Sequence, residues 1–193
     1  MSDQSTPDFD WPTVFNALID GADLGRARAH EAMAEVMEGR ATEGQIAALM
    51  MGLRAKGETV AELTGLVDAM YDAAITVDAG DDVVDVVGTG GDGAGTFNIS
   101  TTAALVAAGA GARVAKHGNR AASSETGSAD LLERLGIRLD LPPTATVEMI
   151  RDIGFGFFFA PEYHPAMRHA APVRRSRQLR PVAVRRRRRG SNG

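Results

Sequence analysis

The chain contains no cysteine. That one absence removes disulfide frameworks, thiolate zinc sites, iron–sulfur ligation and thiol nucleophiles together. Aromatic residues make up only 5%, and with so little aromatic mass a bundle of short helices is expected to share its core with a second subdomain or a partner subunit. No apolar run approaches the roughly 20 residues that span a bilayer; the longest weakly polar stretch, residues 101–112, is mostly Ala and Gly. The segment before Trp11 carries three aspartates and no basic residue, which is not the charged-then-apolar order of an export signal. These absences lead to the expectation of a cytoplasmic protein with no membrane segment. What is present, 193 residues with 44% hydrophobic and 24% charged, is globular composition and excludes disorder over the whole length.

Charge is distributed unevenly. Residues 1–162 hold 11 basic and 25 acidic side chains, whereas residues 163–193 hold 10 arginines and no acid. A second acid-free window, Gly93 to Ser124, lies inside the acidic part.

From Asp10 to about Ala74 the punctuation is helical. Asp10 before Trp11-Pro12 predicts an N-cap for a short helix, Thr13–Asp20, closed by Gly21; Asp23 predicts the start of a second, closed by Gly39. Thr42 with Gln45, and Thr59 with Glu62, have capping-box spacing and predict helices over 43–56 and 60–74. Ile46, Leu49, Met50 and Leu53, then Leu63, Leu66, Val67 and Met70, recur at three-and-four spacing and read as one core-facing stripe per helix. After Gly80 the grammar alternates. Val83–Val87 and Ala112–Ala115 are expected as strands, each followed by a loop and a helix (about Ser100–Ala108 and Ala129–Leu135). Ile137–Leu139 and Phe155–Phe159 follow as further strands around a Thr144-capped helix. Strand, loop and helix at this spacing predict a parallel α/β unit.

Two loops carry the chemistry. Gly88-Thr89-Gly90-Gly91-Asp92-Gly93 lies between a predicted strand and helix, where backbone amides can cradle an anion that side chains would obstruct. The six residues also match the dinucleotide fingerprint, but no acidic residue follows between Asp92 and Glu125 to hold a ribose diol, and no Gly-Lys-Ser/Thr ends the loop as a P-loop requires. The second loop, Lys116 to Ser124, crowds Lys116, His117, Asn119, Arg120, Ser123 and Ser124 behind a strand. Asn98, Ser100, Thr101 and Thr102 add hydroxyl and amide groups at the intervening helix start, able to cap the helix or contact phosphate and metal. Loops at the carboxyl ends of adjacent parallel strands converge on one crevice, so the two are expected to share one polyphosphate.

Gly88-Thr89-Gly90-Gly91-Asp92, Thr96-Phe97-Asn98-Ile99-Ser100-Thr101 and Lys116 through Ser124 resemble the successive signatures of the anthranilate phosphoribosyltransferase family, and His164–Arg168 and Ala171–Arg175 continue the likeness. The resemblance implies an N-terminal helical bundle that mediates homodimerisation (1–79) and an incomplete parallel α/β domain of the nucleoside phosphorylase and phosphoribosyltransferase type (80–175). It implies a pentosyltransferase that moves the phosphoribosyl group of phosphoribosyl pyrophosphate to anthranilate in tryptophan biosynthesis. Phosphoribosyl pyrophosphate would be held by Gly88, Gly91, Asp92, Thr96, Asn98, Ile99, Ser100, Thr101, Lys116, His117, Gly118, Asn119, Arg120, Ala121, Ala122, Ser123, Ser124 and Ser128. Anthranilate would contact Gly88, Asn119 and Arg174, the guanidinium facing its carboxylate, and Ser100 would be a ligand of Mg2+.

The likeness stops near Arg175. The adjacent Asp-Glu pair that completes the family's magnesium site does not follow, and 176–193 is an arginine-rich run without apolar periodicity. It reads as a disordered tail, as after a frameshift, and the whole as a truncated family member. Two alternatives accompany the enzyme reading: an inactive fragment that keeps the helical dimerisation module, and a pyrimidine nucleoside phosphorylase, against which the Asn119–Ser124 stretch argues. No aromatic is interleaved among Arg174–Arg189, so nucleic-acid stacking is unsupported and nucleic acid is not an expected partner.

Overall fold

The structure, a computed structural model, describes residues 9–87, 98–121 and 126–176, with the main chain alone at 174–176. The expected site residues Gly88, Gly91, Asp92, Thr96, Ala122, Ser123 and Ser124, the side chain of Arg174 and the run 177–193 lie outside the described residues.

Four helices open the fold: α1 (Trp11–Ile19), α2 (Gly25–Met37), α3 (Glu43–Lys56) and α4 (Val60–Asp72). Asp10 caps α1 by accepting from the Thr13 amide at 3.1 Å, and both expected capping boxes form, at Thr42/Gln45 and Thr59/Glu62. Asp23 does not cap α2, whose N-cap is Leu24; its carboxylate instead receives Lys56 Nζ at 2.6 Å. On α3, Ile46, Leu49 and Leu53 are buried as the stripe predicts. On α4 the stripe is wrong in part. Leu63 and Val67 are exposed, whereas Gly65 and Ala69 face inward. The reason is close approach: a Cβ on Gly65 would stand 2.1 Å from the Arg26 carbonyl oxygen, so α2 and α4 meet through small residues and turn the larger ones outward.

The α/β unit is a three-stranded, all-parallel sheet in the order β1 (Val83–Val84), β2 (Arg113–Gly118), β3 (Phe155–Phe159). Helices α5 (Ile99–Gly109), α6 (Ser128–Arg134) and α7 (Pro143–Ile153) connect the strands. Ala104, Val114, Ala129, Leu132, Leu139, Phe155 and Phe157 form its core. β2 runs further than expected, through Lys116 and His117, because β3 pairs with it over five residues from Val114↔Phe155 to Gly118↔Phe159. β1 is shorter than expected. Past Val84 its polar groups are taken by side-chain contacts, with Val86 O accepting from Lys116 Nζ and Asp85 Oδ1 from the His117 amide. Ile137–Leu139 is not a strand: Ile137 N bonds back to Leu132 O at 3.0 Å, and Leu139 enters the core from irregular chain. α7 begins at Pro143 behind Pro142, so Thr144 lies inside the helix and not at its cap.

After β3 the chain turns through α8 (Ala160–Tyr163), a 3-10 segment (Pro165–His169) and α9 (Ala171–Ser176). Ala170 and Val173 are buried in the core of the helical bundle with Trp11, Leu18 and Leu49. The sheet thus hands the chain back to the bundle, and Ile75 N donates to Tyr163 O at 2.8 Å where the two crossings meet.

Glu62 fastens the bundle. Fully buried, it accepts from Leu24 N at 2.9 Å, Thr59 N at 2.9 Å and Lys56 Nζ at 3.0 Å. Burial alone would raise its pKa, but these bonds together overcome that and hold the carboxyl below its ordinary value. A carboxyl depressed in the fold contributes stability above its unfolded pKa and loses it as pH falls through the folded value. Glu62→Gln is expected to cost about 3 kcal/mol at pH 7 by stranding donors around a buried site. Urea melts at pH 7 and at pH 3 check this, the gap between variant and wild type narrowing at the lower pH.

Candidate active site

Parallel pairing brings the carboxyl ends of all three strands to one edge of the sheet, the edge at which open α/β sheets bind ligands. At that edge the start of α5 and the turn before α6 are tied together, as Asn98 Nδ2 donates to Gly127 O at 3.2 Å. Thr101, in the first turn of α5, is fully buried, and its hydroxyl has no hydrogen-bond partner among the described residues. An unpaired buried hydroxyl is costly, and its position suits an oxygen-rich ligand.

The chain leaving β2 runs hard against the turn that precedes α6. A Cβ on Gly127 would stand 2.3 Å from Ala121 N and 2.7 Å from Asn119 O. One on Gly118 would meet the Phe157 ring at 2.8 Å and the Ser128 Cβ at 3.0 Å. Only glycine permits these approaches. Among the expected site residues, Asn98, Gly118, Asn119, Ala121 and Ser128 are thereby gathered around one crossing, with Ala129 N donating to Asn119 O at 3.2 Å.

The cations behave differently from a simple cluster. Lys116 is 1% exposed and donates Nζ to Val86 O at 2.6 Å, clamping the exit of β1 to β2. Burial lowers its pKa, opposed in part by Asp85. Arg120 is engaged by α6 and the end of β3: its Nη2 donates to Glu133 Oε1 at 2.7 Å, Asp130 lies 3.4 Å from Nη1, and the guanidinium sits 5.5 Å from the Phe159 ring centroid. The side chain of Ile99 is exposed, and Ser100 is half-buried beside it on the same turn.

His117 is half-buried, with its amide on Asp85 Oδ1 at 3.3 Å and its ring edge-on to His164 at 5.5 Å. Its Nε2 is buried without a partner among the described residues. Burial pushes its pKa down, and His164 adds to this. Four residues of this region had no role legible in the sequence as a site: Asp85, Asp130, Glu133 and His164. Asp130 carried one usable signal, an acid in the N3 position behind Gly127; His164 lay in the stretch that continues the family likeness, but its meeting with His117 was not legible, because only the return from β3 brings the two together. No group of three or more His, Asp or Glu among the described residues is placed to hold a metal ion.

The histidine geometry has a direct readout. In an NMR pH titration His117 is expected to titrate below the ordinary imidazole value of about 6.5, and His164→Ala to move the midpoint upward. A midpoint at or above that value in the wild type would contradict the burial.

Comparison with known proteins agrees with the two-part architecture. Residues 12–74 match the helical bundle domain of the glycosyl transferase family, and residues 80–183 match that family's a/b domain. An anthranilate phosphoribosyltransferase of Nocardioides sp. is 54% identical over 165 residues, covering 86% of this chain and 48% of the relative. One from Symbiobacterium thermophilum is 56% identical over 170 residues, covering 88% and 50%. The crystal structure of anthranilate phosphoribosyltransferase from Thermus thermophilus is similar with a TM-score of 0.78 and 47% identity over 86% of this chain and 51% of that one. The Saccharomyces cerevisiae enzyme in complex with PRPP and Mg aligns with a TM-score of 0.78 at 26% identity, covering 86% and 50%. The chain therefore spans about half the length of the relatives it matches. With both of its parts matched in order, the chain belongs to the glycosyl transferase family that joins a helical bundle to an a/b domain, and its similarity within that family is to the anthranilate phosphoribosyltransferases.

Proposed function

We propose that this chain takes part in transfer of the phosphoribosyl group from phosphoribosyl pyrophosphate to anthranilate, giving N-(5-phosphoribosyl)anthranilate and pyrophosphate in tryptophan biosynthesis. The observation that carries the reading is the crossing at the carboxyl edge of the sheet, where Asn98, Asn119 and Ser128 meet around Gly118 and Gly127. The reaction needs little from side chains. The aromatic amine bonds to the anomeric carbon of the ribose as the carbon–oxygen bond to pyrophosphate breaks, and the resulting ammonium releases one proton. Pyrophosphate is already a good leaving group, so the site chiefly neutralises charge and holds two substrates in line. That fits a chain without cysteine.

In this reading the α5 start and the loop after β2 hold the diphosphate. Gly88, Gly91, Asp92, Thr96, Ser123 and Ser124 add their part from sequence resemblance, and Asn119 and Arg174 receive anthranilate. The chemistry of the donors suits magnesium: the hydroxyls of Ser100 and Thr101 are hard oxygen ligands of the kind it prefers, with Thr101 Oγ1 buried and unpaired among the described residues. When bound, Mg2+ supplies positive charge against the leaving diphosphate.

The helical bundle is the proposed homodimer surface. Along α4, Val60, Leu63, Val67 and Tyr71 are exposed at helical spacing, Val60 by 82% and Tyr71 by 67%, an apolar row of the kind that marks interaction sites. No described helix is long and apolar enough to cross a membrane, and a reducing cytoplasm suits the cysteine-free composition.

Two measurements test these statements. Fluorescence of phosphoribosylanthranilate formed from phosphoribosyl pyrophosphate, anthranilate and magnesium is expected to rise with the purified chain; no signal together with no calorimetric binding of phosphoribosyl pyrophosphate would refute the enzyme reading. Binding without turnover would limit the reading to recognition of phosphoribosyl pyrophosphate, and dimerisation with neither would favour the second reading, an inactive chain that keeps only the helical dimerisation module. Sedimentation analysis is expected to show a dimer, and Val67→Glu to shift it to monomer, raising the dissociation constant by about tenfold or more for a charge buried at an interface.

A further inference from the structure

The neck of the loop between β2 and α6 is held by one carboxylate that the reaction scheme leaves unassigned. Asp130 Oδ2 accepts from Gly127 N at 2.8 Å and from Ala121 N at 2.9 Å. The first bond is half of a capping box on α6. Gly127 has no side chain to return it, so the oxygen's second lone pair serves the other limb of the loop. Where these limbs pass, a single Cβ would not fit between Gly127 and Ala121, so the pinch is tight as well as bonded. Asn98 Nδ2 on Gly127 O and Ala129 N on Asn119 O close the neck from either side.

An acid beside an anion site is a liability unless its charge is offset, and here amides and a shared guanidinium offset part of it. The two amides take Oδ2, and Oδ1 faces Arg120 Nη1 at 3.4 Å, while Arg120 also spans Glu133. The amides and the guanidinium hold the Asp130 carboxyl below its ordinary pKa, so it stays an acceptor across the physiological range. Arg120 is held by the same contacts, since its guanidinium pairs with both acids of α6.

We propose that Asp130 is the positioning residue of the diphosphate loop, pinning the Ala121 and Gly127 limbs with one carboxylate oxygen so that affinity for a diphosphate depends on a side chain that does not touch it. The proposal rests on the phosphoribosyl transfer reading for its ligand, and on the hydrogen bonds alone for the pinning. Entropy is the mechanism: a loop whose limbs are fixed beforehand loses less freedom on binding.

Three variants of the full chain separate pinning from charge. Asp130→Ala removes both bonds and is expected to weaken calorimetric binding of phosphoribosyl pyrophosphate with magnesium by about tenfold or more. In the same variant the Ala121 and Gly127 amides should exchange at least about tenfold faster, with those of α3 and α4 unchanged. Asp130→Asn keeps an oxygen facing the two amides and loses the partnership with Arg120; it is expected to restore affinity to within about threefold of wild type. If Asp130→Ala does not fold, Asp130→Ser replaces it, since that hydroxyl is too short to reach both limbs. Unchanged affinity in Asp130→Ala, or an asparagine variant as weak as alanine, overturns the proposal. Should the wild type bind no phosphoribosyl pyrophosphate, the functional reading fails. The exchange rates at Ala121 and Gly127 then decide the pinning by themselves, equal rates in wild type and variant overturning it.

Discussion

Parallel pairing of β2 with both neighbours is the constraint from which the rest follows. Val114, fully buried at the centre, meets Val84 on one side and Phe155 on the other. Because the strands run the same way, every strand end that leads into a helix lies on the same edge. The starts of α5 and α6 are thus drawn to the same place, although 29 residues separate Asn98 from Gly127. The ladder between β1 and β2 covers only Val83↔Arg113 and Val84↔Val114, and beyond it the strands are joined by Lys116 and Asp85 instead. Backbone pairing gives way to side-chain bonds where the crevice begins.

Two carboxylates, buried Glu62 and partly exposed Asp130, are used in the same way. Glu62 and Asp130 are both N3 residues of their helices, and each reaches back to its own cap while also holding a segment from elsewhere, Leu24 for Glu62 and Ala121 for Asp130. Each has a cation beside it, Lys56 and Arg120 respectively. One carboxylate thereby satisfies several amides that the turn would otherwise strand. Glu62 does this for the bundle and Asp130 for the loop of the site. The fold uses the same device for packing and for preorganisation.

Much of the architecture was legible in the sequence because its signals are local. Capping boxes at Thr42 and Thr59 formed as spaced, since hydroxyl, amide and carboxylate lie within one turn of each other. The strand Phe155–Phe159 matched to the residue, bounded by Gly154 in a left-handed conformation and by Pro161. The failures are non-local. The α4 stripe misplaced Leu63 and Val67 because Gly65 lets α2 come closer than side chains allow elsewhere. Ile137–Leu139 had the composition of a strand but is drawn into the core beside Leu132. The contacts of Lys116 with Val86 O and of Arg120 with Glu133 were not legible either, because the partners lie 30 and 13 residues away in the chain.

What the sequence by itself determined is the alternation of helical and parallel α/β parts and the composition of the loops between them: glycine, amide, hydroxyl and cation, with acid excluded from Gly93 to Ser124. These depend on period, capping and composition, all short-range properties. Only the tertiary structure decided which groups meet: that Asp130, outside the acid-free window, pairs with Arg120 while holding the loop neck, that Lys116 is buried on Val86, and that the chain past β3 returns its Ala170 and Val173 to the helical core. Such meetings depend on the crossing of segments far apart in the chain, and no local pattern encodes the distance between them.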